Sequence, residues 1–87
     1  MKTIWKYVVP VGLGDNLEIS IPKGYKVLTV QMQGGVPTIW VELDPLNPEV
    51  SAYFRWIGTG HNLPDYSTSY IGTVQIDWIV LHLFEID

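Results

Sequence analysis

The residues with the clearest chemical potential lie in the segment Arg-Trp-Ile-Gly-Thr-Gly-His-Asn, residues 55–62. A Gly-Thr-Gly turn, residues 58–60, can present successive backbone N–H groups to an anion, and Thr59 adds a hydroxyl donor. His61 follows at the start of a long polar loop, and a partial copy of the pattern, Tyr-Ile-Gly-Thr-Val-Gln, occupies residues 70–75. Two interpretations stay open for the turn, a phosphate or ribose cradle and a strand bulge followed by a simple reversal.

Arg55 is the single arginine of the chain. It alternates with Tyr53 and Ile57 in an apolar run, so it should point away from the face that carries Phe54 and Trp56. A guanidinium can hold phosphate in a bidentate manner while a neighbouring aromatic ring stacks on a base. The alternatives are therefore a ligand pocket shared with Tyr53 and an ion pair with a carboxylate across the sheet.

Other polar and aromatic residues offer weaker signals. Trp40 alternates with apolar neighbours and shares a face with Glu42, which makes it a candidate stacking platform. His82 lies between Leu81 and Leu83 and is predicted to be a core or interface residue with one ring nitrogen bonded to the backbone. We find no metal-ligand spacing around the two histidines, no Gly-x-Ser-x-Gly motif and no paired carboxylates, so we predict no catalytic residue, no metal and no cofactor.

The segments that must position these residues read as strands throughout. Seven β-branched and aromatic runs cover residues 4–9, 17–21, 25–33, 36–43, 50–57, 70–76 and 77–85. Their spacing predicts a single all-β domain over residues 1–87, a small antiparallel sandwich or barrel of about seven short strands with little or no helix. Turns are predicted at residues 12–16, at Pro22-Lys23-Gly24, which should close a hairpin between the second and third strands, and at Gly34-Gly35. Leu28, Val30 and Met32 should share one face.

Composition limits the partners. The net charge of −4 argues against binding to a DNA or RNA duplex, which needs a basic surface. No run approaches the length of a membrane span and no signal-peptide core is present, so we expect a cytoplasmic protein without a membrane partner. The chain is 47% apolar and only 16% charged, and two strands are apolar on both faces. These features predict a homo-oligomer that buries one such face. The alternative is that one of these strands is central in a compact barrel.

Several segments in a fixed order resemble a family of small uncharacterised proteins, catalogued as a domain of unknown function and found mainly in bacteriophage and prophage genomes. The resemblance spans nearly the whole chain and rests on these residues: Trp5-Lys6-Tyr7, Pro22-Lys23-Gly24, residues 28–35, Trp40, Asp44-Pro45, residues 58–61, residues 70–75 and residues 82–85. It implies a phage protein that acts in the cytoplasm of its bacterial host, and it implies no particular activity.

Two functional hypotheses follow. In the first, a homo-oligomer binds a nucleotide-derived immune signal, a cyclic nucleotide or an ADP-ribose derivative, and withholds it from host effectors. This is an analogy with small phage proteins that act as sponges. Its ligand-binding residues are predicted to be Arg55, Thr59, Gly58, Gly60, His61, Tyr53, Trp40 and Tyr66. In the second, the chain is a non-catalytic module that binds a host or virion protein through exposed aromatic residues. A phosphodiesterase-type enzyme is the remaining alternative.

Overall fold

The fold was analysed in a computed structural model, which describes residues 1–12 and 16–87. Within these residues the chain forms seven β-strands and no helix. The strands are β1 (Thr3–Val8), β2 (Leu17–Pro22), β3 (Lys26–Gln33), β4 (Val36–Leu43), β5 (Glu49–Gly58), β6 (Thr68–Ile76) and β7 (Ile79–Ile86). The predicted all-β class is confirmed, and so are the positions of most strands.

The strands form two antiparallel sheets that pack as a sandwich. The small sheet has the order β1-β4-β3 and the large sheet the order β2-β5-β7-β6. The barrel alternative is wrong, because each sheet of the described chain ends in two unjoined edge strands. No described helix is long and apolar enough to cross a membrane.

The core lies between the two sheets and follows the alternation of the strands. Buried side chains come from the inward faces of β4, β5 and β7, and the largest of them is Trp56, 1% exposed. Its indole N–H donates to the carbonyl of Pro10, 3.0 Å away, in the segment that leaves β1. Burial of an aromatic side chain with a satisfied N–H gives a small domain much of its stability.

The sheets approach most closely where β3 crosses β6. A Cβ atom at Gly72 would lie 2.7 Å from Cγ1 of Val30, a distance that no side chain tolerates. Glycine is therefore required at this position by close packing and not by an unusual backbone angle. The second Gly-Thr pair of the sequence thus begins with a contact between the sheets.

Two predictions about the first half of the chain are wrong. The Pro22-Lys23-Gly24 turn does not close a hairpin, because β2 belongs to the large sheet and β3 to the small one. The turn moves the chain between layers, and Lys23 N donates to Pro48 O in the connection between β4 and β5, which also passes from one sheet to the other. Leu28 does not share a face with Val30, since a bulge between Val27 and Thr29 shifts the alternation and leaves Leu28 exposed.

The tight turn between β6 and β7 also departs from expectation. The strand predicted over residues 77–85 would begin with Asp77 and Trp78. Asp77 instead adopts φ of 55° and, with Trp78, reverses the chain, so that the Trp78 side chain is 94% exposed. The Gly34-Gly35 reversal between β3 and β4 is confirmed, whereas the turn predicted at residues 12–16 falls largely outside the described residues.

Candidate functional site

The outer surface of the large sheet carries several of the polar and aromatic residues that the sequence singled out. We call this surface the Arg55 face and define it by Tyr53 and Arg55 of β5, His82 and Phe84 of β7, and Tyr70 and Thr73 of β6. The strand register places Arg55 opposite Phe84 and Phe84 opposite Tyr70. The rings of Tyr70 and Phe84 are tilted at 59° with centroids 5.5 Å apart. One row across the sheet therefore consists of a cation and two aromatic rings.

Arg55 points to this outer face as predicted, and its partners are neutral. Its Nη1 donates to the hydroxyl of Tyr66 at 3.2 Å and to Oδ1 of Asn16 at 3.4 Å. The Tyr66 hydroxyl also donates to the same Asn16 oxygen, at 3.3 Å. These distances lie at the long end of the hydrogen-bonding range.

A further donor of Arg55, its Nε, is unsatisfied in the part of the chain that the structure describes. Its Nε is shielded from solvent and has no hydrogen-bond partner among residues 1–12 and 16–87. Within the same residues the ion pairs are Met1 with Asp44 and Lys2 with Glu42, so the predicted cross-sheet ion pair of Arg55 is not found there. A guanidinium held by long bonds to uncharged oxygens has more to gain from an anion than one already paired with a carboxylate.

The two Gly-Thr pairs of the sequence converge on His82. Thr59 Oγ1 lies 2.8 Å from His82 Nε2, and Thr73 Oγ1 lies 2.8 Å from His82 Nδ1. The hydroxyl of Tyr70 lies 2.5 Å from that of Thr73 and extends the chain of hydrogen bonds. One threonine must donate to the imidazole and the other must accept from it in the neutral state, whereas both can accept when the ring is protonated.

This network corrects the prediction for His82. Its ring nitrogens bond two side-chain hydroxyls and not the backbone, and the ring lies on the outer face of β7. The repeated Gly-Thr motif was visible in the sequence, but the partner that joins its two copies was not. Register supplies the missing information, since His82 lies opposite both Ile57 and Thr73. Asn16 and Phe84 were also missed as neighbours of Arg55.

The Gly-Thr-Gly segment itself forms a tight turn at one end of the sandwich. His61 N donates to Gly58 O at 3.1 Å, and Gly60 has φ of 88°, as the third residue of a type II turn requires. The imidazole of His61 packs over Gly58, where an added Cβ would be 3.0 Å from the ring. The N–H of His61 and the hydroxyl of Thr59 are thus engaged within the protein, which leaves fewer free donors for an anion than the sequence suggested.

Gly58, Thr59 and His61 line an open groove of about 340 Å³ together with Trp78 and the start of β7. The groove is distinct from the Arg55 face, although Thr59 links the two through His82. Its lining combines an imidazole with an exposed indole and apolar strand residues.

The predicted site residues therefore separate into three groups. Tyr53, Arg55 and Tyr66 belong to or contact the Arg55 face, and Thr59 joins it through His82. Gly58, Gly60 and His61 form the turn at the end of the sandwich. Trp40 is not part of either group, since it lies on the outer surface of the small sheet, opposite Lys6 of β1 and Thr29 of β3.

A second open groove, of about 490 Å³, lies between the start of β3 and the start of β6, beside the close contact of Val30 with Gly72. The Tyr25 hydroxyl donates to the Glu85 carboxylate at this groove. Burial, followed by this hydrogen bond and the negative charges of Glu85 and Asp87, raises the pKa of Tyr25 above its ordinary value. The hydroxyl is therefore held protonated well into the alkaline range. Among the described residues, no cluster of three His, Cys, Asp or Glu side chains could hold a metal ion.

Comparison with protein families gives a match over residues 1–87 to the model described as domain of unknown function DUF7352. The chain belongs to the DUF7352 family. This agrees with the resemblance to an uncharacterised family that the sequence motifs indicated. No curated protein and no solved structure matches the chain.

Proposed function

We propose that this DUF7352 protein binds a nucleotide-derived small molecule on the Arg55 face and sequesters it without chemical change. The observation that carries the proposal is the environment of Arg55, a lone guanidinium with neutral hydrogen-bond partners in the described chain, set in a row of aromatic rings. Phosphate would replace long bonds to neutral oxygens with charge-assisted ones, which are roughly twice as strong.

Aromatic side chains on the same face can stack on the base of a nucleotide-derived ligand. Tyr53 lies two residues before Arg55 on β5 and is exposed, and Tyr66 reaches Arg55 from the loop between β5 and β6. Tyr70, 60% exposed, stands at the other end of the row. A planar base can stack on any of these rings while the phosphate contacts the guanidinium, an arrangement that contributes about 1–3 kcal/mol per stacked base.

The net negative charge of the protein limits the number of phosphates that its ligand can carry. With five basic and nine acidic residues, the chain favours a ligand that carries few phosphates over an oligonucleotide. A cyclic nucleotide or an ADP-ribose derivative fits one guanidinium and two rings. In a homo-oligomer the site is repeated in each copy, so that a small protein can withhold a signalling molecule at stoichiometric amounts.

The biological setting is part of the proposal. The motif resemblance favours a phage protein that acts in the bacterial cytoplasm, where cyclic nucleotides and ADP-ribose derivatives serve as immune signals. Sequestration of such a signal would protect the phage from the host effector that the signal activates. No catalytic step is required, because removal of the free ligand is sufficient.

The test is a thermal-shift screen of the purified protein against cyclic dinucleotides, linear and cyclic ADP-ribose derivatives and mononucleotides. A ligand present at about 100 times its dissociation constant adds about 2.7 kcal/mol to the native state, which raises the melting temperature of a domain of this size by roughly 10–20 °C. The complex is then heated and the released ligand is analysed by chromatography. Recovery of the intact compound means sequestration, and recovery of a cleaved product would mean an enzyme.

A pair of charge-matched variants locates the site. Arg55→Ala should keep the fold and lose the ligand-induced shift. Lys23→Ala, which removes the same charge from an exposed turn between the sheets, should retain it. An unchanged shift in the Arg55 variant would remove Arg55 from the site.

A second candidate function is favoured by Trp78. An indole that is 94% exposed at a tight turn is typical of an interaction surface, and Leu46 in the connection between the sheets is 90% exposed. In this case the chain binds a host or virion protein, no compound in the screen stabilises it, and Trp78→Ser abolishes partner binding while Arg55→Ala does not.

A further inference from the structure

We propose that two copies of this chain pair through their β1 strands, antiparallel and with Trp5 at the two-fold axis, so that the two small sheets join into one continuous sheet. This inference extends the homo-oligomer of the proposed function by identifying its interface. It makes no use of ligand binding, and it can therefore fail or hold independently of the Arg55 site.

β1 is an edge strand with apolar side chains on both faces. Its inward face carries Trp5, which is 42% exposed although it lies opposite the buried Val41. Its outward face carries Ile4 and Val8, both of which are exposed. An edge strand with apolar residues on both sides is a template for pairing with a further strand.

The hydrogen-bonding groups of β1 that remain free can be assigned from the register. Val8 pairs with Thr38, so Val9 lies opposite Pro37, and Val9 N donates to Pro37 O at 3.0 Å. Hydrogen-bonded and non-hydrogen-bonded pairs alternate along an antiparallel ladder. The backbone groups of Trp5 and Tyr7 therefore face β4.

It follows that Ile4, Lys6 and Val8 direct their N–H and C=O groups toward the free edge. These three residues alternate with those bonded to β4, and the register between β1 and β4 has no shift from Thr3 to Val8. The edge is thus regular over its whole length, as a new strand requires.

Lysine side chains often protect an exposed edge, but the two lysines near β1 are turned away from it. Lys6 Nζ donates to Gln33 Oε1 on β3 at 2.8 Å, a contact that crosses the outer surface of the small sheet. Lys2 Nζ lies 3.6 Å from Glu42 Oε2 on β4. Both cations lean toward the interior of the sheet, which leaves the edge unguarded.

The other three edges of the described sheets are less suited to pairing. β3 is bulged between Val27 and Thr29, and β6 is bulged between Tyr70 and Gly72. β2 ends in Pro22, which has no N–H to donate. Bulges and prolines are the means by which natural sheets limit edge pairing.

Symmetry and charge select the occupant and the register. A two-fold axis perpendicular to the sheet keeps the inward faces of both copies on one side, so residues of the same face must lie opposite each other. One such register places Lys6 opposite Lys6 of the second copy, which is unfavourable for like charges. The neighbouring register places Ile4 opposite Lys6 and brings the two Trp5 side chains together at a non-hydrogen-bonded pair.

The second register is self-complementary. Ile4 and Lys6 exchange backbone hydrogen bonds with Lys6 and Ile4 of the second copy, and each exposed Trp5 covers the other on the inward face. On the outward face, Ile4 then lies between Glu42 of β4 and Lys6 of the second copy. The lysine and the glutamate carry opposite charges on the same face of the joined sheet. A foreign strand would have to match this pattern by chance, whereas a second copy matches it by symmetry.

A cysteine cross-linking experiment tests the axis, since the chain has no cysteine of its own. Cα atoms of a non-hydrogen-bonded pair are about 4.5 Å apart, within the range of a disulfide. Under mild oxidation Trp5→Cys should form a covalent dimer faster than Lys6→Cys and faster than Lys23→Cys, which reports random collision. Faster cross-linking of the Lys6 variant would overturn the register, and equal rates for Trp5 and Lys23 variants would overturn the interface.

A second pair of variants tests the edge without altering Trp5. Lys6→Pro removes an N–H that faces the free edge and leaves the bonds to β4 intact, as proline requires in an edge strand. Lys6→Ala is the matched control, because both variants lose the contact with Gln33. In sedimentation equilibrium the wild type and the alanine variant should dimerise, and the proline variant should have a dissociation constant at least about tenfold higher. A monomeric wild type, or a proline variant that dimerises as well as the alanine variant, would refute the pairing.

Discussion

Gly72→Ala should destabilise the protein, and the size of the effect should depend on Val30. The added Cβ would lie 2.7 Å from Val30 Cγ1, so either a side chain or a strand must move. Overpacking of a well-packed core typically costs about 1–3 kcal/mol. For a domain of this size we therefore expect the melting temperature to fall by about 4–8 °C for each kcal/mol.

The sign of the effect should change when the obstructing methyl group is removed. Val30→Ala alone destabilises the protein by about 1–3 kcal/mol, because it deletes buried groups and leaves a small cavity. In that background the Cβ at residue 72 fills space instead of colliding. Replacing glycine in a strand with alanine also restricts the unfolded chain, so the second substitution should stabilise the single mutant by about 0.5–1 kcal/mol.

Urea unfolding followed by tryptophan fluorescence, to which the buried Trp56 contributes, measures the stability of the wild type, the two single variants and the double variant. The dependence of the unfolding free energy on urea should stay constant, so that the midpoints report stability alone. Gly12→Ala is the matched control, since no contact within 4 Å of the Cβ position there is found among residues 1–12 and 16–87. Equal destabilisation by Gly72→Ala with and without Val30→Ala would show that the close approach of β3 and β6 is not the reason for the glycine.

Three further predictions address individual side chains. Trp78→Ser should change the unfolding free energy by no more than about 0.5 kcal/mol, because the indole is 94% exposed. Trp56→Ala should lower it by about 3–5 kcal/mol, because that indole is buried, and thermal unfolding in a calorimeter measures both changes. His82→Phe removes the hydrogen bonds to Thr59 and Thr73 and should lower the unfolding free energy by about 1–2 kcal/mol. Proteolysis within the loop at residues 59–67 should also become faster, and unchanged cleavage would contradict a role for His82 in holding the loop. The pKa of Tyr25 is raised on folding, so the stability that its hydroxyl contributes is complete below the unfolded pKa of about 10 and is lost as the pH rises through the pKa of the folded state. Between neutral and strongly alkaline pH, the unfolding free energy of Tyr25→Phe should therefore fall by less than that of the wild type.

Local patterns in the sequence were sufficient for the strands and for most of their faces. Alternation placed Ala52, Phe54 and Trp56 on one face of β5 and Tyr53 and Arg55 on the other, and the structure buries the first set against the small sheet. This succeeds because a half-buried strand imposes a period of two on its apolar residues. The prediction for β3 failed at Leu28, because one inserted residue in a bulge reverses the alternation and leaves no mark in composition.

Contacts between distant strands were beyond the reach of such patterns. A Pro-Lys-Gly turn has the same local conformation whether it closes a hairpin or carries the chain to another sheet, so the path from β2 to β3 could not be read from residues 22–24. In the same way, the repeated Gly-Thr pairs suggested a shared role, but only the pairing of β7 with both β5 and β6 shows that they meet at His82. Trp40 and Arg55 were both predicted to line one site, but Trp40 lies on the small sheet and Arg55 on the large one.

The two proposals make a joint prediction that neither makes alone. Pairing through β1 extends the small sheet, whereas Arg55 lies on the outer surface of the large sheet, so a dimer leaves the Arg55 face of each copy open. The monomeric Lys6→Pro variant should therefore bind ligand with the same stoichiometry per chain as the dimer, as measured by calorimetric titration. Loss of binding on dissociation would instead place the ligand between the two copies, and the site would then have to include residues near β1, such as Trp40, that the single chain keeps apart from Arg55.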